Sequence, residues 1–419
     1  MSILPMSTTT HREDGQGKTT EAPPLDWVIV GGGIHGVHLA VRLIGEAGIA
    51  AQRIRIVDPG PTLLYAWQRC SANTGMQYLR SPAVHHLDIN PWSLLRYAGV
   101  TNCRQKAEDG LFAPPYNRPS VSLFARHCAQ VVSRYGLAGL HVRDSAADIS
   151  LSDGGVRVTL GRGGSLNAER VLLAMGTATH LRLPGWASAL VTAGVQVRHI
   201  FEPAFHLEPD EWPARVAVIG GGISAAQAAM RLVDGSRAVH LIARHALRKH
   251  QFDSDPGWIG PKYMRSFTAT HDLKLRRQMI RAARHVGSMP PDIYRMVRST
   301  IHRGEIQWHQ GEVAASAVDA TAVLRVGEAW ICADAVLLAT GFEDRRPGGA
   351  LVDRLIENYG LPCSDCGYPV IDSHLRWHPR VFVTGPLADL EIGPVARNII
   401  GARHAAERIV PVATSACSR

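Results

Sequence analysis

"DWVIVGGGIHGVHLAVRLI", residues 26–44, decides the fold. "WVIV" is an apolar run suited to a buried parallel strand, and Gly31, Gly33 and Gly36 follow it as G-x-G-x-x-G. Behind them "VHLAVRLIGEAG" keeps helical periodicity. The three glycines serve different ends, since Gly31 allows a tight turn, Gly33 lets backbone approach a pyrophosphate, and Gly36 lets helix and strand pack closely. The helix N-terminus then faces the phosphates. A second strand in "RIRIVDPG", residues 53–60, ends in Asp58, where a carboxylate would accept both ribose hydroxyls of an adenosine. Strand, loop, helix, strand and terminal acid in that order predict a dinucleotide-binding unit.

The chain builds this unit twice. "ARVAVIGGGISAAQAAMRL", residues 214–232, carries Gly220 and Gly222, opens its helix with Ser224, and has Ala225 in the third glycine's place. Its second strand, "AVHLIAR", ends in Arg244 instead of an acid. A carboxylate there would repel a 2′-phosphate, whereas an arginine pairs with it bidentately, and Arg248 and Lys249 lie close behind. The second unit therefore reads as a site for NADPH, with an exposed arginine lacking any ligand as the plainer alternative. The duplication goes further. "AERVLLAMG", residues 168–176, is matched by "ADAVLLATG", residues 333–341, which ends in Gly341, and each follows a stretch that reads as a three-stranded meander. The pattern predicts an α/β fold of two Rossmann-like dinucleotide-binding domains, each with a parallel sheet and a β-meander, the second inserted in the first. Expected boundaries are a disordered tail over 1–25, a first domain over 26–185 and 332–419, and a second over 186–331 with a helical insertion at about 250–300.

Composition narrows the partners. The 419 residues are 46% apolar and carry a net charge of +9, enough for large cores, but Lys and Arg form no run with interleaved aromatics, so the charge favours nucleotide phosphates over nucleic acid. No stretch is apolar enough to be a signal peptide or to span a bilayer, so no membrane partner is expected. Seven cysteines without regular spacing fit a reducing compartment, with cytoplasm the default location. The 20 histidines show no ligand spacing, and no metal is expected.

From Asp26 to about Val410 the chain resembles the flavoproteins with two dinucleotide-binding domains, and among them the flavin-containing monooxygenases and the microbial lysine and ornithine N-hydroxylases. That resemblance implies FAD in the first unit, NADPH in the second, and oxygenation of an amine or other heteroatom of a small molecule by O2 through a flavin C4a-hydroperoxide. "VRHIFEPAF" is similar to the monooxygenase fingerprint and offers His199, although the Phe and Gly that should precede it are absent. By likeness to the N-hydroxylases, Trp67, Met76 and Gln77 would lie near the isoalloxazine and Arg80 would hold substrate; Trp67 and Met76 read equally as core side chains, and Arg80 as half of an ion pair. Asp253, Trp258 and Tyr263 in the insertion are candidates for the pocket lining. At the C-terminal end "VFVTG" delivers Gly385 to the ligand, but Pro386 stands where many relatives have an Asp; backbone near Gly393 and the Asn398 amide would meet the flavin instead, or Asn398 caps a helix. "CSDC", with Cys363 and Cys366, has the spacing of a redox pair and keeps a disulfide or protein-acceptor reductase as the rival; a non-catalytic nucleotide-binding flavoprotein is the third reading. An oligomer is compatible with the sequence, which does not speak to it.

Overall fold

The computed structural model describes residues 25–100, 109–177 and 180–414, so the tail expected over 1–25 lies outside the described residues apart from Leu25. Leu25–Val30 is the first strand and all six of its residues are buried, as an apolar run between two neighbours requires. It pairs in parallel with Ile54–Val57 on one side and Ser165–Leu173 on the other, so successive strands of the chain leave it in opposite directions. Such a reversal opens a crevice beyond the strands' C-terminal ends. In space the sheet runs Arg376–His378, Val381–Val383, Ser165–Leu173, Leu25–Val30, Ile54–Val57, His141–Val142.

The second sheet repeats this plan with five parallel strands, Ile306–Gln310, Ala238–Ala243, Arg215–Ile219, Ala335–Leu338 and Gln196–His199. Ala335–Leu338 pairs with Arg215–Ile219, so the second sheet keeps its closing strand and the chain returns to the first unit after Leu338, later than the boundary at 332 read from the sequence. The meanders also differ from one another. Val313–Val318, Thr321–Val326 and Ala329–Ala333 form a separate antiparallel sheet. In the first unit Ala146–Ser152 and Gly155–Leu160 lead into Ser165–Leu173, whose first half completes the meander while its second half joins the main sheet. Nine residues are long enough for one strand to serve both.

The insertion holds the helices Pro261–Ala269, Leu273–Ala283 and Pro291–His302, two of them opening on a proline, the residue that tolerates a missing N–H at that position. It leaves the second sheet and clasps the first domain. Arg277 reaches the buried Asp389 at 3.2 Å and donates to the Tyr368 hydroxyl at 3.1 Å and to Asp344, while Arg397 holds Asp389 at 2.6 Å. Phe267 and Ile280 of the insertion bury themselves beside Tyr368 and Leu390 of the first domain.

A second tie joins the domains through the helix Tyr65–Thr74. Asn73 donates to the carbonyls of Ile200 and Phe205 and accepts from the Leu207 amide, and Arg69 donates to the Glu202 carbonyl at 2.7 Å. Arg231, from the helix Ile223–Leu232, caps the far end of the same helix through the Ala72 carbonyl at 2.6 Å.

A buried polar cluster gathers around the helix Val121–Arg134. Ser93 bonds both Asp88, at 2.5 Å, and the His127 ring, at 2.8 Å, and the His86 and His127 rings meet edge to face. Burial pushes His86 down to about 3 and His127 and His85 to about 4, from an ordinary 6.5. The unfolded chain therefore binds more protons between those values, and the stability present above pH 6.5 is lost as pH falls toward 4. The melting temperature should be flat from neutral pH upward and fall steadily below about 6.5. His127→Gln should flatten part of that fall; a melting temperature that does not change with acidification contradicts the buried neutral imidazoles.

Candidate functional site

In the first glycine loop the three glycines play the separate parts that their spacing suggests. Gly31 has φ +113°, and a Cβ there would stand 2.5 Å from the Ala174 carbonyl oxygen; at Gly36 it would stand 1.8 Å from the Gly31 oxygen. Both positions are closed by the fold itself. A Cβ at Gly33 meets nothing within 4 Å. Gly33 precedes the helix Ile34–Gly45, which has no side-chain cap, so its first amides stay free for an anion. Space at the second glycine and unpaired amides beside it fit a dinucleotide pyrophosphate.

Asp58 is held beside this loop. Its Oδ2 accepts from the Gly32 amide at 2.7 Å and its Oδ1 from the Gly60 amide at 2.8 Å. Each oxygen keeps a further lone pair for a ribose hydroxyl. Opposite, Thr384 and Gly385 close the crevice at the end of the strand Val381–Val383. His35, which sequence reading passed over, bonds the Thr384 hydroxyl at 2.9 Å. Burial pushes the His35 imidazole down to about 4, opposed in part by the Asn398 backbone, so at neutral pH it pins loop and strand without charge. Its place between Gly33 and Gly36 was the available signal, since a side chain there has only the returning strand to meet. Asn398 itself donates its backbone amide to the Val395 carbonyl at 2.9 Å and leads into the helix Ile399–Thr414. Asp389, four residues after Gly385, is taken up by Arg277 and Arg397.

The stretch from Trp67 to Arg80 separates into core and cleft. Trp67 packs on Phe124 with ring centroids 5.0 Å apart, at the edge of the first core. Met76 and Gln77 line an open concavity of about 510 Å³ with Tyr78, Ser120 and Ser122. Arg80 is placed against the insertion: it pairs with Asp253 at 2.6 Å and donates to the carbonyls of His250, Gln251 and Phe252 and to the Ser288 hydroxyl. This guanidinium locks a loop, which is the ion-pair reading of that residue. Trp258 lies 5.3 Å from Tyr263 and 6.0 Å from Phe267, and Met264 of the same helix stands 3.3 Å from where a Gly393 Cβ would be. The insertion thus roofs the C-terminal turn.

His199 ends the strand Gln196–His199 and is buried, its ring accepting from the Phe201 amide at 3.2 Å. Burial pushes it down to about 4, opposed by the backbone of Gly341. Phe201 stacks on Phe342 at 5.3 Å, and the Arg182 amide donates to the Gly341 carbonyl at 2.9 Å. His199 and Gly341 therefore sit together where the chain crosses between domains.

The second glycine loop repeats the first with one difference. Gly220 has φ +151° and a Cβ there would meet the Ala339 oxygen at 2.5 Å; Ser224 and Ala225 lie in the first turn of the uncapped helix Ile223–Leu232. Arg244 is exposed beyond the strand Ala238–Ala243. Yet a Cβ at Gly222 would stand 3.4 Å from the Gly287 Cα, so the insertion covers the face that is open at Gly33. The residue types suit a nucleotide, and the Gly287 backbone stands in van der Waals contact with the place a Gly222 side chain would take.

Cys363 is half-buried and Cys366 exposed, its sulfur 3.1 Å from the Ser364 hydroxyl, in a turn whose Cys363 bridges Pro369. Both thiols are free. Among the described residues no group of three or more His, Cys, Asp or Glu is placed to hold a metal, and no helix is long and apolar enough to cross a membrane.

Two nucleotide folds in one chain define a class, and comparison with known proteins agrees. The pyridine nucleotide-disulphide oxidoreductase family matches residues 25–409, and the chain belongs to it. It is an FAD-dependent oxidoreductase of the pyridine-nucleotide class. Among solved structures it is similar to the reduced ornithine hydroxylase of Pseudomonas aeruginosa, at 19% identity and TM-score 0.71, covering 94% of this chain and 99% of that one. The flavin-containing monooxygenase of Stenotrophomonas maltophilia gives 21% and 0.59, and the bacillithiol disulfide reductase of Bacillus cereus 17% and 0.58, each over 94% of this chain and 99% of the other. At these identities the likeness is one of fold. A search of curated proteins found no match.

Proposed function

We propose that the protein is an NADPH-dependent FAD monooxygenase that oxidises an amine or other heteroatom of a small molecule. In balance, NADPH, a proton, O2 and substrate give NADP+, water and the oxygenated product. FAD, when bound, supplies the chemistry of accepting a hydride and activating oxygen. In this reading the first domain holds FAD through Gly31, Gly33, Gly36, Asp58 and Gly385, and the second holds NADPH through Gly220, Gly222, Ser224 and Arg244. The observation that favours it is the roof: Met264 and Phe267 of the insertion stand 3.3 and 3.6 Å from where a Gly393 Cβ would be, and an apolar cover there would keep water from chemistry that water would divert. In this reading Met76 and Gln77, which line a concavity with Tyr78 and Ser120, meet the substrate.

The reductase reading needs a thiol pair at the crevice. Cys363 and Cys366 lie in a surface turn, and burial pushes the Cys363 thiol up, away from the reactive thiolate. Purified protein given NADPH should consume oxygen, and faster with an oxidisable amine or thioether. Rapid NADPH-dependent cleavage of a small disulfide without oxygen uptake would favour the reductase.

Nucleotide choice gives a separate test. An Arg244 to 2′-phosphate contact is a charged hydrogen bond of roughly 1.5 to 3 kcal/mol, which implies about tenfold or greater preference for NADPH over NADH. Arg244→Ala should lose most of that through weaker NADPH binding, with NADH use little changed. Full preference retained by the variant would show that this strand end does not read the phosphate.

A further inference from the structure

The two glycine loops differ in what stands over them. Gly33 faces open space, whereas Gly222 faces the backbone of Gly287, a residue of the insertion some 65 positions later in the chain. Beside it, the His245 ring is wedged between Gly221 and Gly287: a Cβ on the first would stand 2.9 Å from its Cε1, and a Cβ on the second 2.8 Å from its Nε2. The His245 Nδ1 is fixed on the Ala246 carbonyl at 2.8 Å. The covering piece is a short turn with firm shoulders. The His285 amide donates to the Asp253 carbonyl at 2.7 Å, the His250 amide donates to the Met289 carbonyl at 2.9 Å, and the His250 and His285 rings stack 3.8 Å apart. Arg80 secures both sides at once, through Asp253 and through the Ser288 hydroxyl. Between the shoulders the tip is nearly bare, with Val286 63% exposed.

One contact at the tip links it to nucleotide choice. The Arg248 guanidinium donates to the Val286 carbonyl at 3.2 Å. Arg248 is a candidate partner for a 2′-phosphate, and a single neutral carbonyl is a weaker partner for a guanidinium than a phosphate dianion.

We propose that the turn Arg284 to Ser288 is a gate on the pyridine-nucleotide loop, held over Gly222 by Arg248 and His245, and released when a 2′-phosphate takes the Arg248 guanidinium from Val286. The proposal rests on the second loop being the NADPH site. It makes Arg248 and His245 specificity-determining residues: a nucleotide without the phosphate meets the same covered loop with nothing to draw Arg248 away. Binding is weakened by the fraction of molecules in which the turn is closed, so a variant that loosens the turn binds tighter without any new contact.

The test uses the full-length holoprotein and NADP+ as probe. Hydrogen exchange of segment 284–289 is followed with and without NADP+, and the dissociation constant is measured for the unmodified protein and for His245→Ala. The expected result is faster exchange of the His285 and Val286 amides on adding NADP+, and binding to His245→Ala tighter by about threefold to tenfold, with a larger relative gain for NAD+. Saturable NADP+ binding with unchanged or slower exchange at 284–289, or weaker binding by His245→Ala, overturns the gate and leaves the second loop as the nucleotide site. No NADP+ binding by either protein overturns both. Should His245→Ala fail to fold, the exchange measurement on the unmodified protein decides alone.

Discussion

Gly33→Val should give a folded but colourless protein. A Cβ at Gly33 has no protein atom within 4 Å, so the substitution costs the fold little, while any side chain there fills the space a pyrophosphate needs. Flavin content by visible absorbance should drop to a small fraction of the unmodified protein's, and circular dichroism should remain native. Gly36→Ala is the contrasting control: its Cβ would lie 1.8 Å from the Gly31 oxygen, so strand and helix must shift apart and that variant should lose stability as well as flavin. Full flavin occupancy in folded Gly33→Val would mean that the first loop holds no dinucleotide.

The second large effect lies at the clasp. Arg277 is 3% exposed and its partner Asp389 1%, so Arg277→Ala leaves a buried carboxylate with only Arg397. Removing one member of a buried pair costs about 3 to 5 kcal/mol. Denaturant unfolding should show that loss, and proteolysis should cut the insertion first, because Arg277, with Arg276 and Arg281 beside it, fastens the helix Leu273–Ala283 to the first domain. Arg277→Met keeps the stem's packing and should lose somewhat less. A midpoint unchanged by either substitution would contradict the clasp.

Which features could be read from the chain follows from distance along it. Strand, glycine loop and helix are contiguous, so both nucleotide units, the duplicated closing strands and the helical character of the insertion were legible from local pattern alone. Arg80 was legible as a residue with a role but not by its partner, since Asp253 is 173 positions away. His35 had only its place between two glycines as a signal, and its partner, the returning Thr384, lies 349 residues on. Arg277 and Asp389, 112 apart, are likewise visible only once the insertion has folded back. Trp67 was open to two readings, a flavin neighbour by likeness to the N-hydroxylases or a core side chain, and its ring packs on Phe124 at the edge of the first core.

The reaction itself is tested most directly by the fate of oxygen. Purified protein loaded with FAD, given NADPH, oxygen-18 gas and a mixture of primary amines and thioethers, should yield a product heavier by one labelled oxygen atom, with label in that product only when NADPH is present. Label confined to water and peroxide across the whole mixture, together with NADPH-dependent conversion of a disulfide to thiols, would contradict a monooxygenase and make the protein a reductase.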